Sequence, residues 1–163
     1  MDYYSFIIDG EKVGYYEVED RDGILYQNAF MTMNGDSFEN PFWVKHQNGK
    51  ITAYRFGDED WVNLSTFPAN TYPTSAFELL AKRLADGEVF EHGRINEGKG
   101  IVTGTARLER KGNTVRELVD GKSGRYLMLD ESNAVTEYGW GGSAKSVKVA
   151  NKTEALEGTT FKN

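Results

Sequence analysis

The feature that most constrains this chain is a series of turn signals: Asp9-Gly10, Asp22-Gly23, Asn34-Gly35 and Asn48-Gly49 each separate two runs rich in aromatic and apolar residues. An Asp-Gly or Asn-Gly pair supplies the positive-φ residues of a tight type I′ turn, whose twist matches that of the strands it joins. The runs YYSFII, VGYYEVE, ILYQNAFMTM, FENPFWVKH and ITAYRF, followed after GDED by WVNL, therefore read as a meander of about six strands, each paired with its sequence neighbour.

The meander stops at STFPANTYPT, Ser65 to Thr74, which holds two prolines. Proline has no N–H to give a ladder, so this stretch is excluded from the centre of a sheet. It leads into PTSAFELLAKRLADG, the one convincing helix, predicted over about residues 75–85. Ser75 and Glu78 have capping-box spacing, and Gly87 suits the residue just past the helix end. Phe77, Leu80, Ala81 and Leu84 fall on one face, with Glu78, Lys82, Arg83 and Asp86 opposite. After Gly87 the strands resume as EVFEHGRI, GIVTGTARLER, NTVRELVD, GRYLMLD, AVTEYGW and AKSVKVA. Turn signals at such short, regular intervals fit a sandwich, barrel or strongly curved sheet.

The 18 glycines and 13% aromatic residues beside 3 prolines agree with many strands and tight turns. The expected fold is mainly β: a strongly curved antiparallel sheet, as a half-barrel, roll or open barrel, with the helix on its concave side. Residues 1–156 are expected to form one domain and residues 157–163 a mobile tail. Adjacent Phe42, Trp43 and Val44, and the run Tyr126 to Leu129, put apolar bulk on both faces of their strands. The helix, a second protomer or an apolar ligand is expected to cover the excess.

Composition also excludes functions. A net charge of −6 without a basic run argues against nucleic acid as a partner. With 0 cysteines there is no disulfide, thiolate metal site or cysteine nucleophile. No segment has the roughly 20 apolar residues of a membrane-spanning helix. The N-terminus lacks the features of a signal peptide, so a cytoplasmic location is expected for the chain as written, and a periplasmic or envelope one where a leader has been removed.

Motifs for chemistry are sparse. His46 and His92 stand outside any metal or catalytic pattern, and the Asp58–Asp60 cluster reads as a solvated hairpin tip. No P-loop, dinucleotide fingerprint or nucleophile elbow is present, and no cofactor is expected. The aromatic residues carry more information: most belong to core packing and cross-strand pairs, with the remainder available to wall a cavity.

The hairpin around Asp9, Gly10, Lys12, Val13 and Gly14, with Pro73, Ser75, Ala76 and Phe77 at the helix, resembles an uncharacterised bacterial β-rich family. Its members are similar to the curved half-barrels of lipoprotein carriers and of glycolipid-binding proteins. The resemblance implies a sheet wrapped about a helix and binding of a lipid-like molecule, with no catalytic residues to transfer.

The expected function is non-enzymatic binding of an apolar or amphiphilic small molecule, with Trp43, Tyr54, Trp61, Phe77, Leu80, Leu84 and Trp140 as lining residues. Two rival expectations are a homodimeric interaction module and a small-barrel enzyme using His46, His92, Asp58 or Asp60 as acid–base groups.

Overall fold

A computed structural model describes residues 1–161; Lys162 and Asn163, the end of the expected tail, lie outside the described residues. In chain order the strands are β1 (Asp2–Ile8), β2 (Glu11–Arg21), β3 (Ile24–Met33), β4 (Asp36–Gln47), β5 (Lys50–Phe56), β6 (Val62–Asn63), β7 (Thr71–Pro73), β8 (Val89–Asn96), β9 (Ile101–Lys111), β10 (Thr114–Val119), β11 (Lys122–Leu129), β12 (Val135–Gly141) and β13 (Ala144–Val149). Helix α1 spans Phe77–Lys82 and α2 spans Lys152–Leu156. All the early turn pairs take the expected conformation: Asp9, Asp22, Asn34 and Asn48 have φ of 51°, 53°, 53° and 50°, and the following glycines lie at 79°, 76°, 83° and 79°.

The strands form one 13-stranded sheet in the order β6-β5-β4-β3-β2-β1-β13-β12-β11-β10-β9-β8-β7. The two meanders are joined at the centre by antiparallel pairing of the first and last strands, with Phe6 opposite Ser146. The proline-rich segment does supply a strand, but at the edge: β7 runs parallel to β8 and has no other neighbour.

Two distances show that this sheet is rolled. The Gln27 side chain of β3 donates to Ser75 O at 2.7 Å, and Arg110 of β9 donates to Leu84 O at 2.8 Å. β3 and β9 are seven ladder steps apart, about 34 Å if the sheet were flat. The helical segment between the two acceptors, Ser75 to Leu84, is about 14 Å long at 1.5 Å per residue. So short an element reaches both strands because the sheet wraps around it. Likewise, the edges β6 and β7 are joined by residues 64–70, which extend to at most about 25 Å. No ladder joins the two edges among the described residues, so the rolled sheet stays open.

The interior packs Leu25, Val44, Leu108, Val115 and Leu127, all 0% exposed, against Phe77, Leu80 and Leu84 of the helical segment. Wrapping changes the expected character of that segment. It begins as a 3-10 turn, Thr74–Ala76, and its α-helix is shorter than predicted. It is buried nearly all round rather than on one face: Glu78 is 6% exposed, and its carboxylate accepts from Tyr138 Oη and pairs with Lys82 at 3.3 Å. Nor does Ser75 form the predicted capping box. The cap is the carboxylate of Glu97, which accepts from the N–H of Ser75 at 2.8 Å and of Thr74 at 3.3 Å.

The outer face has its own cover. Tyr15 and Phe30 stack at 4.6 Å, and Phe161 packs edge-on against Tyr15 at 5.6 Å. α2 lies beside them, with Ala155 fully buried and Lys152 Nζ 5.3 Å from the Tyr15 ring. Asn151 caps this helix by accepting from Glu154 N–H at 2.9 Å, a signal in the sequence Asn-Lys-Thr-Glu that strand-based reading passes over. Thr160 N–H donates to Lys12 O at 3.0 Å, so the stretch after α2 is held to β2.

Candidate functional site

The helical segment fills much of the barrel interior but leaves a cavity of about 280 Å³ beyond its start. β1 contributes Phe6, β2 Tyr16, β3 Ala29 and Met31, β4 Phe42, and β12 Trp140; Thr74, Ser75 and Arg125 stand where the helix begins. Period-2 alternation and cross-strand register explain why these side chains meet. Gln27 opposes Phe42, Ala29 opposes Asn40, and Met31 opposes Phe38, so all six share the inner face of β3 and β4. Pairing of β1 with β13 then brings Phe6 to 6.3 Å from Trp140, with their rings within 8° of parallel.

The polar side is tightly organised. Arg125 donates to both carboxylate oxygens of Glu117, each at 2.8 Å, and to Thr74 O at 2.9 Å. Its guanidinium also lies 4.6 Å from the Phe77 ring centre, which fixes the plane. Arg94 approaches Glu117 at 3.8 Å from another side, and Glu97 accepts from Thr74 Oγ1 at 2.7 Å. Burial pushes the Glu117 carboxyl up, but the hydrogen bonds from Arg125 and the charges of Arg125 and Arg94 outweigh it, holding the group below the usual carboxylate range. Gln27 ties the opposite wall to the same backbone: it accepts from Tyr16 Oη at 3.1 Å while donating to Ser75 O. Ser75 Oγ is buried and has no partner among the described residues.

Of the seven lining residues expected from sequence, Trp140 is at this cavity. Phe77, Leu80 and Leu84 are core, at 5%, 3% and 6% exposed. Tyr54 is also inward and 1% exposed, packed near Phe67, but does not line the cavity. Trp43 lies on the opposite face from Phe42 and Val44, between Tyr26 at 5.6 Å and the Arg55 guanidinium at 4.8 Å. Trp61 is covered by Lys45 at 4.2 Å. Cationic side chains thus cover aromatic bulk that the sequence reading assigned to a ligand.

The residues named for an enzyme do not converge. His46 pairs with Asp20 at 2.7 Å, and Asp58 and Asp60 are exposed. His92 is buried, stacked on Phe90 and hydrogen-bonded through Nδ1 to Gly93 O; burial lowers its pKa. Among the described residues no three His, Asp or Glu side chains are grouped to hold a metal ion. Among the described residues no helix is long and apolar enough to cross a membrane.

Sequence reasoning missed Phe6, Tyr16, Met31, Phe42 and Arg125. The available signal was the register of the third hairpin, which fixes the shared face of Met31 and Phe42; nothing local announces the pairing of β1 with β13.

No family model matches the chain, and no curated protein matches it either. Among solved structures, it is similar to the crystal structure of a DUF1089 family protein from Pseudomonas aeruginosa. The two share 10% sequence identity, with 80% of this chain and 90% of that chain covered and a TM-score of 0.49. A likeness of that extent assigns neither family nor function. Nothing in these comparisons supports the lipoprotein-carrier part of the resemblance drawn from sequence.

Proposed function

We propose that this chain binds a small amphiphilic molecule, without chemical conversion, in the cavity beyond the start of α1. The observation that carries the reading is the make-up of the cavity wall: Phe6, Tyr16, Ala29, Met31, Phe42 and Trp140 supply its apolar surface, and Gln27, Asn40, Thr74, Ser75 and Arg125 its polar groups. Binding pockets for small molecules have this character, a mostly apolar enclosure with few placed polar groups. The volume of about 280 Å³ falls just below the usual range, which begins near 300 Å³. It equals the liquid volume of about nine water molecules at roughly 30 Å³ each, room for a small head and a short chain. A longer tail has a route out: Phe38 and Met33, 45% and 44% exposed, continue the inner face of Met31 toward solvent.

The test is calorimetric titration with eight-carbon probes that differ at the head: octanol, octanamide, octanoate and octylamine. At least one is expected to bind the wild-type protein, and to be lost in Ala29→Phe, which fills the cavity from β3. Failure of every probe to bind, or equal binding by a folded Ala29→Phe variant, overturns the reading.

A further inference from the structure

Arg125 ties the cavity wall to a charged network behind it, and the balance of that charge selects among head groups. Arg94, Glu117, Arg125, Thr74 and Glu97 form one connected chain of contacts. Glu117 and Glu97 are 2% and 4% exposed, and the two arginines are 24% and 17% exposed at their side chains. Of these four charges Arg125 lines the cavity and the others stand behind it; two cations face two anions, and the network is neutral as it stands. A charged head would enter without a counterion in a setting where an unpaired charge is strongly disfavoured.

Hydrogen-bonding capacity is less evenly matched. Arginine has five N–H donors, and three contacts to protein acceptors are made by Arg125, through Nε, Nη1 and Nη2. One N–H on Nη1 and one on Nη2 have no protein acceptor among the described residues. The Ser75 hydroxyl is buried without a partner on the same wall. The two Arg125 N–H groups can only donate, the buried hydroxyl can donate or accept, and leaving that hydroxyl unsatisfied is costly enough to favour a ligand oxygen that accepts from all of them.

We propose that the molecule bound in this cavity has an uncharged oxygen acceptor at its polar end, such as an amide, ester or ketone carbonyl, received by Ser75 Oγ–H and Arg125. The inference rests on the cavity reading above and narrows it to a class of head group. Carboxylates fit the donors but upset the charge balance. Amines upset it in the other direction and offer donors to the Arg125 N–H groups, which cannot accept them.

The probe series separates this inference from the reading on which it rests. Octanamide is expected to bind at least about ten-fold more tightly than octanoate or octylamine. Ser75→Ala is expected to weaken octanamide about three- to ten-fold, the effect of one neutral hydrogen bond, while leaving octanol changed by less. Octanol carries a hydroxyl oxygen, a weaker acceptor than an amide carbonyl, and serves as the control for cavity shape. Octanoate binding as tightly as octanamide overturns the inference while leaving the cavity reading in place. Equal losses of octanamide and octanol in Ser75→Ala overturn the role of the hydroxyl. If no probe binds, both the reading and the inference fall. Ser75→Ala removes one buried oxygen and keeps the backbone bonds to Glu97 and Gln27, so the folded protein remains available for the measurement.

Discussion

Replacing Arg125 by Met tests whether the charged network holds the fold as the geometry implies. The substitution keeps much of the side-chain volume but removes two 2.8 Å hydrogen bonds to Glu117 and one of 2.9 Å to Thr74 O. Glu117, 2% exposed, is then left with Arg94 at 3.8 Å. Removing one partner of a buried ion pair costs about 3–5 kcal/mol, because the remaining charge stays desolvated. For a chain of this length each kcal/mol moves Tm by about 2–4 °C, so the variant is expected to melt roughly 6–20 °C lower. The double variant Glu117→Leu with Arg125→Met removes the stranded charge together with its partner and is expected to recover most of the loss. Both are followed by urea unfolding and calorimetry. A single variant that loses less than about 1 kcal/mol, or a double variant less stable than the single, refutes the claim that the pair is desolvated and mutually dependent.

Other substitutions test other parts of the structure. Glu78 is buried, and burial raises its carboxyl pKa despite Lys82, so its neutral form favours the fold: that contribution is present below the unfolded value near 4.5 and is lost as pH rises through the folded value. Glu78→Gln is expected to match the wild type near pH 4 and exceed it in urea-unfolding stability at pH 8; a variant less stable at pH 8 contradicts this. Glu117 has the opposite sign: its lowered pKa gives a contribution present above about 4.5 and lost as pH falls through the folded value, so the excess stability of wild type over Glu117→Gln is expected to shrink in acid titrations. Leu80→Ala, at a site 3% exposed beneath the rolled sheet, is expected to cost about 2–5 kcal/mol in denaturant unfolding; a cost below about 1 kcal/mol contradicts its place in the core. Gly139→Ala is expected to destabilise by about 1–3 kcal/mol, because an added Cβ lies 1.9 Å from the Tyr126 ring, and Tyr126→Ala in the same chain is expected to relieve part of the clash.

Much of the fold was legible because its signals are local. The Asp-Gly and Asn-Gly pairs specify hairpins from a few residues, and Phe77, Leu80 and Leu84 mark the helix by spacing. The interior surface was harder to read. Glu78 looks solvent-facing on a helical wheel, yet the sheet encircles the helix and buries that side as well. In Phe42-Trp43-Val44 three large residues in a row obscure the alternation; the register against β3 and β5 turns Phe42 and Val44 inward and Trp43 outward. The cavity depends on contacts between distant parts of the chain. Phe6 meets Trp140 because the first and last strands pair, and Arg125 meets Thr74 because the second meander curls over the helix start. No short window of sequence contains either relation.

The position of the charged network distinguishes a purely structural account of the interior from the binding account. A buried ion pair contributes little net stability compared with apolar packing of the same volume, so stability alone gives no reason for two arginines and two glutamates inside this barrel. What their contacts do is positional. Glu97 holds the N–H groups of Thr74 and Ser75, Arg125 holds the Thr74 carbonyl, and Gln27 holds the Ser75 carbonyl. Polar bonds from several sides therefore fix the backbone at Thr74 and Ser75, where the cavity meets the helix and where one hydroxyl remains without a partner. A fixed backbone around an unsatisfied donor is preorganised for an acceptor: the ordering has already occurred, and a ligand oxygen would meet the hydroxyl without further loss of backbone freedom.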